Sequence, residues 1–337
     1  MDDNGECLTQ RHSPLGEKEF TIGRAYPPGG QMVRQSAIRA WTKGSQQVVG
    51  HVLLATTAIL WGSSYTATRL VVGEVPPLLL GTLRGLLATV VLGAAAWWAG
   101  ERLWVPRRTW VALAGLGALG VGYFYLGLNL ALQWTTATTA SFLSLPYPAL
   151  TALGSWLFLK ERLRPTQAAG IGLAAVGATW LTVATAQEGV GGAWFGNLLA
   201  LSITVAWTIY TLLGRRILPH LSALTATFHM MLAGTLLLAL GAGVEFLRGA
   251  RPHWTVETIL VTLYLGAVCT GLGYAFWNRG LSLVPAAAAS TYLYLQPVTV
   301  LLLAIPLLGE QPTLRTIAAG ALVIAGTALA ARPTGGD

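Results

Sequence analysis

From His51 onward, apolar runs of about twenty residues alternate with short polar breaks. The runs lie at 52–72, 76–98, 109–131, 136–158, 166–186, 194–213, 223–245, 256–278, 286–308 and 312–331. This is the length an α-helix needs to cross about 30 Å of hydrocarbon at 1.5 Å per residue. Pro, Gly and charge punctuate them, as at Pro76-Pro77, Lys160–Pro165 and Gln311-Pro312. The alternation of a membrane β-barrel is missing from the pattern, and helices satisfy their own backbone groups in lipid. The pattern therefore predicts an all-α integral membrane protein with ten transmembrane helices and short connections. Segment 1–50 is polar, with Pro27-Pro28-Gly29-Gly30, mixed charge and no apolar leader run. It reads as a disordered cytoplasmic tail, compatible with a start at Met1 or at Met32.

The same pattern occurs twice. A single shift of 149 residues lays Gly122 on Gly271, Tyr125 on Tyr274, Asn129 on Asn278 and Ser141 on Ser290. It also lays Pro148 on Pro297, Glu161 on Glu310 and Gly177 on Gly326. Matches among Leu and Ala would mean little in so apolar a chain, but Tyr, Asn, Pro and Glu at one offset indicate an internal duplication. The predicted organisation is a tail (1–50), a first five-helix repeat (51–188), a second (189–332) and a short end (333–337). An odd number of spans per repeat inserts the second copy upside down. Such inverted repeats recur in secondary transporters, with the binding site near the midplane between the halves.

Composition agrees with a lipid environment: 54% of the 337 residues are hydrophobic, 10% are charged, and mean hydropathy is +0.59. The net charge of +8 does not form a continuous basic face, so it speaks for membrane orientation rather than for nucleic acid. With the amino terminus inside, Arg69, Arg248, Arg251 and Arg315 are the basic residues on outer segments, Arg84 lies within a span, and the other sixteen of the 21 are inside. Both termini are thus expected in the cytoplasm. Cys7 and Cys269 offer neither a disulfide framework nor metal-ligand spacing, and no cofactor motif fits. Gly115–Gly120 matches a dinucleotide-binding spacing but lies inside an apolar span with no strand before it.

At this point the chain resembles the drug/metabolite transporter superfamily, and within it the ten-helix transporters with two EamA domains. The likeness rests on A-I-L-W-G-S-S-Y at 58–65 and P-P-L-L-L-G-T-L-R-G-L-L-A at 76–88. Each repeat then closes with a proline thirteen residues before a glutamate, Pro148 to Glu161 and Pro297 to Glu310, followed by a Gly-rich span. Where the family pattern has L-G-E, the second copy reads Leu308-Gly309-Glu310 but the first reads Leu159-Lys160-Glu161. The two halves are therefore not equivalent. The resemblance implies a carrier of small molecules, export more often than uptake, and a path lined by the first, third and fourth spans of each repeat. It also implies that Arg84 belongs to the general pattern whatever is carried.

The candidate chemistry is sparse. Arg84 lies about 12 Å into its span, close to the midplane. An unpaired charge there costs from ~3 to over ~10 kcal/mol, so it faces protein or water. It can attract a substrate carboxylate or phosphate, or serve as a structural arginine bonded to helix carbonyls. Tyr125 with Asn129 and Tyr274 with Asn278 are i,i+4 pairs on one helix face. They either offer polar groups to a solute or tie neighbouring helices together. Trp61, Tyr65, Ser141, Ser144, Tyr292, Tyr294 and Gln296 complete the polar and aromatic candidates, with Trp61 the tryptophan placed in the cavity. Pro148 and Pro297 can kink their spans and so serve a gate, or mark irregular packing. Glu161 and Glu310 precede the closing spans and read as carboxylates stabilising a helix start. His229 is the group within a span that titrates near neutrality, which allows proton coupling; an uncoupled facilitator is equally allowed.

Three function classes follow. A solute transporter working by alternating access fits the duplication, with amino acids, drugs, sugars or nucleosides as candidate cargo and a homodimer allowed. An intramembrane enzyme lacks an intraspan Asp or an H-E-x-x-H zinc motif, leaving only a pairing such as Ser141 with His229. A membrane scaffold or sensor has no positive sequence feature.

Overall fold

The computed structural model describes the backbone of residues 28–160, 162–187, 192–217 and 221–331. Side chains are described from Ser45 on, apart from 159, 187, 215–217 and 286–287. Glu161, the tail before Pro28 and the end from Arg332 lie outside the described residues. The chain divides at residue 50, and the packing and the site described below belong to the unit that begins at Gly50.

The described structure is helical, with helices in the order of the expected spans. They are α1 (Pro28–Val71), α2 (Pro77–Trp98), α3 (Arg107–Trp134), α4 (Ala137–Ser144 and Tyr147–Leu159) and α5 (Pro165–Gln187). After them come α6 (Ala193–Ile217), α7 (Ala223–Leu247), α8 (Val256–Leu283), α9 and α10 (Leu314–Ala330). Helix α9 runs through Ala286–Thr291, a 3-10 turn at Tyr292–Tyr294, and Leu295–Leu308. Among the described residues, eight helices are long and apolar enough to cross a membrane. Two of the expected spans do not meet that measure: α4 is broken, and α10 has 17 residues. Helix α1 starts well before His51, so it takes in part of the segment expected as tail.

The breaks have a local cause. A proline lacks the N–H for the helical ladder, and its ring collides with the carbonyl four residues back. Pro146 and Pro148 impose this on Phe142 and Ser144, and α4 breaks between Ser144 and Tyr147. Pro297 imposes it on Leu293, within the 3-10 turn of α9. The two candidate gating prolines, Pro148 and Pro297, thus each stand beside an interruption of their helix.

Equivalent features recur in the two halves. Stretches of π-helix occupy Ala118–Tyr123 in α3 and Tyr264–Leu272 in α8. Both α4 and α9 end on a left-handed residue, Lys160 (φ 57°) and Gly309 (φ 65°), whose N–H groups donate to the carbonyls of Ser155 and Ala304.

Helices matched by the 149-residue shift run antiparallel where they meet. Along the α5–α10 seam, Gly170 lies against Ala330, and a Cβ on Gly177 would come within 2.7 Å of the Val323 amide nitrogen. For α2 and α7, Glu245 near the end of α7 accepts from the N–H groups of Leu78 and Leu79 at the start of α2. Conversely Glu101, just past the end of α2, accepts from the hydroxyls of Ser222 and Thr225 at the start of α7. Each carboxylate thereby meets the positive end of the opposite helix. Glycines also seat each third helix on the other half's second helix: Gly117 and Gly122 of α3 against α7, and Gly266 and Gly271 of α8 against α2.

Candidate functional site

A cavity of about 320 Å³ lies among the first, third and fourth helices of both halves. Trp61, Ser64 and Tyr65 come from α1, Phe124, Tyr125 and Leu128 from α3, and Ser144, Leu145 and Tyr147 from the break in α4. The second half contributes Thr204, Trp207, Tyr210 and Thr211 from α6, Tyr274, Trp277, Asn278 and Leu281 from α8, and Leu293 and Gln296 from α9. The second helices add one residue each, Arg84 from α2 and Thr227 from α7. Several lining positions match under the 149-residue shift: Trp61 with Tyr210, Tyr125 with Tyr274, Leu128 with Trp277, Ser144 with Leu293, and Tyr147 with Gln296.

Arg84 is 3% exposed, and its guanidinium is held on two sides. Its Nε donates to Thr270 Oγ1 at 2.7 Å, one terminal nitrogen reaches Thr68 Oγ1 at 3.4 Å, and its carbon lies 4.4 Å from the centre of the Tyr125 ring. Thr270 is fully used: its hydroxyl donates to the Leu265 carbonyl at 2.8 Å and also accepts from Tyr125 at 3.5 Å. The bond from Thr270 reaches five residues back, the spacing of the π-helix that carries it. Among the described residues no carboxylate pairs with Arg84.

Aromatic rings form much of the remaining wall. Trp61 stands 5.3 Å from Tyr274 and 5.1 Å from Trp277, with its Nε1 donating to the Cys269 carbonyl at 3.1 Å. From α6, Trp207 stands 5.1 Å from Phe124 and 5.0 Å from Tyr210.

Of the residues expected at the site, Trp61, Tyr65, Arg84, Tyr125, Ser144, Tyr274, Asn278 and Gln296 come together at the cavity. Asn129, Ser141, Tyr292 and Tyr294 are not among its lining. Asn129 is fully buried and donates to the Pro77 carbonyl at 2.8 Å. Ser141 donates to the Thr138 carbonyl of its own helix at 2.8 Å. The hydroxyl of Tyr292 meets His51 Nδ1 at 2.9 Å. Asn278 lines the cavity while donating to Thr227 Oγ1 at 3.0 Å. His229 is buried in α7, with Nδ1 2.9 Å from the Thr225 carbonyl, and is not among the lining residues. The sequence reading named neither Thr270 nor any residue of α6, although the resemblance put the first span of each repeat on the path. Tyr210 could have been found, because the duplication places it on Trp61; Thr270 lies on Val121 and carries no such signal.

Comparison with known proteins gives a consistent result. The model of the EamA-like transporter family matches twice, at residues 48–183 and 194–332. An uncharacterized transporter of Archaeoglobus fulgidus is 30% identical over 284 residues, covering 83% of this chain and 96% of its own. A probable terminal-alkyne amino-acid exporter of Streptantibioticus cattleyicolor is 30% identical over 285 residues, covering 83% and 93%. A probable amino-acid metabolite efflux pump of Salmonella typhimurium is 29% identical over 288 residues, covering 81% and 92%. One solved crystal structure, 24% identical with a TM-score of 0.60, covers 86% of this chain and 97% of its own and shares the fold.

Proposed function

Because the chain belongs to the EamA-like transporter family of the drug/metabolite transporter superfamily, we propose that it exports amino acids or related small metabolites by alternating access. It is a multi-pass membrane protein and a carrier of small molecules. In our reading ten segments cross the cytoplasmic membrane as two inverted five-helix repeats, with both termini in the cytoplasm.

The observation that carries this reading is a cavity lined by matched positions of both halves. A solute held between two similar, oppositely inserted bundles can be exposed to either side as one bundle rocks against the other. The antiparallel course of α2 against α7 and of α5 against α10 supports opposite insertion.

The shape of the site favours loading from the cytoplasm. Thr211, Thr227, Asn278 and Leu281 carry the lining toward the ends of α6, α7 and α8 that the basic residues assign to the inside. Toward the opposite ends, Val72, Leu132, Ala137, Val300 and Ala304 pack together and close the bundle. The amino-acid assignment draws on the two relatives named for amino-acid export. Everted vesicles from expressing cells should accumulate labelled amino acids faster than vesicles from cells without the protein. Equal uptake across the full set of proteinogenic amino acids would sink the assignment.

A further inference from the structure

The two ends of an amino acid are not served equally by this cavity. Among the described residues its one charged lining residue is Arg84, and none of the lining residues is acidic. The sequence has no Asp between residues 4 and 336, and its Glu residues fall in the tail or at the ends of spans. A cargo ammonium group therefore meets no carboxylate there.

The opposite holds for a carboxylate. Arg84 has five N–H groups. Its Nε is committed to Thr270, one terminal nitrogen makes a long bond to Thr68, and the Tyr125 ring covers one face of the guanidinium. These contacts fix the fork in place without neutralising its charge. A buried cation near the bilayer centre is costly without a counter-charge, and a planar carboxylate matches the fork through paired hydrogen bonds. The arrangement is one-sided, because the positions that match Arg84 and Thr270 in the other half are Ala233 and Val121. In the same lining, Trp61, Trp207, Trp277 and Phe124 offer flat apolar faces.

We propose that the cavity selects its cargo by a carboxylate held on Arg84 and by a flat apolar body laid on the aromatic wall, and does not read the ammonium group. Its cargo class is then the amphipathic organic carboxylate, and includes acids that carry no amine. This rests on the cavity being the transport site.

The test uses the purified full-length protein in detergent, with fluorescence of the cavity tryptophans as readout. The probes are 3-phenylpropionate, L-phenylalanine, L-phenylalanine methyl ester and phenethylamine. The two carboxylates are expected to bind with dissociation constants within about threefold of each other, and the ester and amine about tenfold more weakly or worse, the loss of one charge-assisted contact. Arg84→Gln should weaken both carboxylates about tenfold and leave the ester unchanged, and Thr270→Val should weaken them while retaining the charge. Phenethylamine binding as tightly as 3-phenylpropionate would overturn the inference, as would binding of phenylalanine without 3-phenylpropionate, or of neither acid. The wild-type panel decides this even if a variant fails to fold. Flux of any other solute through proteoliposomes, with no binding of these acids, would end the cargo inference and leave the transport reading standing.

Discussion

Glu310, in the connection between α9 and α10, accepts hydrogen bonds from the backbone N–H groups of Ala137 at 2.7 Å and Thr138 at 3.1 Å. The sequence reading gave this carboxylate to the start of its own closing helix. It instead caps α4, which belongs to the other half, and so ties the two copies together at one end of the bundle.

Glu310→Ala removes two charge-assisted acceptors from a helix start, where orphan N–H groups otherwise go unmet. The expected loss is about 1 kcal/mol, measured as a lower thermal midpoint of the detergent-solubilised protein. Glu310→Gln should recover part of it. An unchanged midpoint for the alanine variant would remove this link between the halves.

Lys160 adopts φ 57° at the end of α4, in the left-handed region where its counterpart is Gly309 at φ 65°. A residue with a Cβ pays about 1 kcal/mol or more for that conformation. Lys160→Gly is therefore expected to raise the thermal midpoint, and Gly309→Lys to lower it. Opposite signs from the two exchanges are the outcome to look for.

The seam between α5 and α10 is set by glycine on both sides. A Cβ at Gly326 would collide with the backbone of Ala174, whereas one at Gly172 meets nothing within 4 Å. Gly326→Leu should lower the yield of folded, monodisperse protein sharply, and Gly172→Leu should not. Equal yields would mean that the two helices do not approach as closely as described.

Asn129 and Asn278 are matched in sequence but do different work. Each donates from the third helix of its half to the start of the second, to Pro77 and to Thr227 respectively, yet only Asn278 reaches the cavity. Asn129→Ala should lower the thermal midpoint by an amount corresponding to about 1 kcal/mol and leave solute affinity unchanged. Asn278→Ala should reduce transport. The reverse pattern would place the wrong asparagine at the site.

These contrasts show which features the sequence made legible. Matched Tyr, Asn, Pro and Glu revealed the duplication, and the lengths of the apolar runs revealed the helices. Pro148 and Pro297 marked where α4 and α9 are interrupted, because the cost of a missing N–H is local. The π-helical stretches were not legible: the shift from i+4 to i+5 bonding in α8 falls where Gly266 and Gly271 meet α2. Thr270, the partner that orients Arg84, comes into place through that shift. Ser141 and Tyr292 were expected at the cavity, but Ser141 donates to the Thr138 carbonyl within the first segment of α4, and Tyr292, in the 3-10 turn of α9, meets His51. Periodicity identifies the face of a regular helix, and it loses phase where the helix is broken.

The claim beneath all of this is that the cavity between the halves is the route taken by the solute. Exchange of labelled amino acid across proteoliposomes tests it directly, comparing the wild-type protein with Ser144→Trp, which fills the cavity from the break in α4. The wild-type protein should exchange at least one amino acid, and the variant, shown by its thermal midpoint to be folded, should exchange none. Equal exchange by the two proteins would contradict the account.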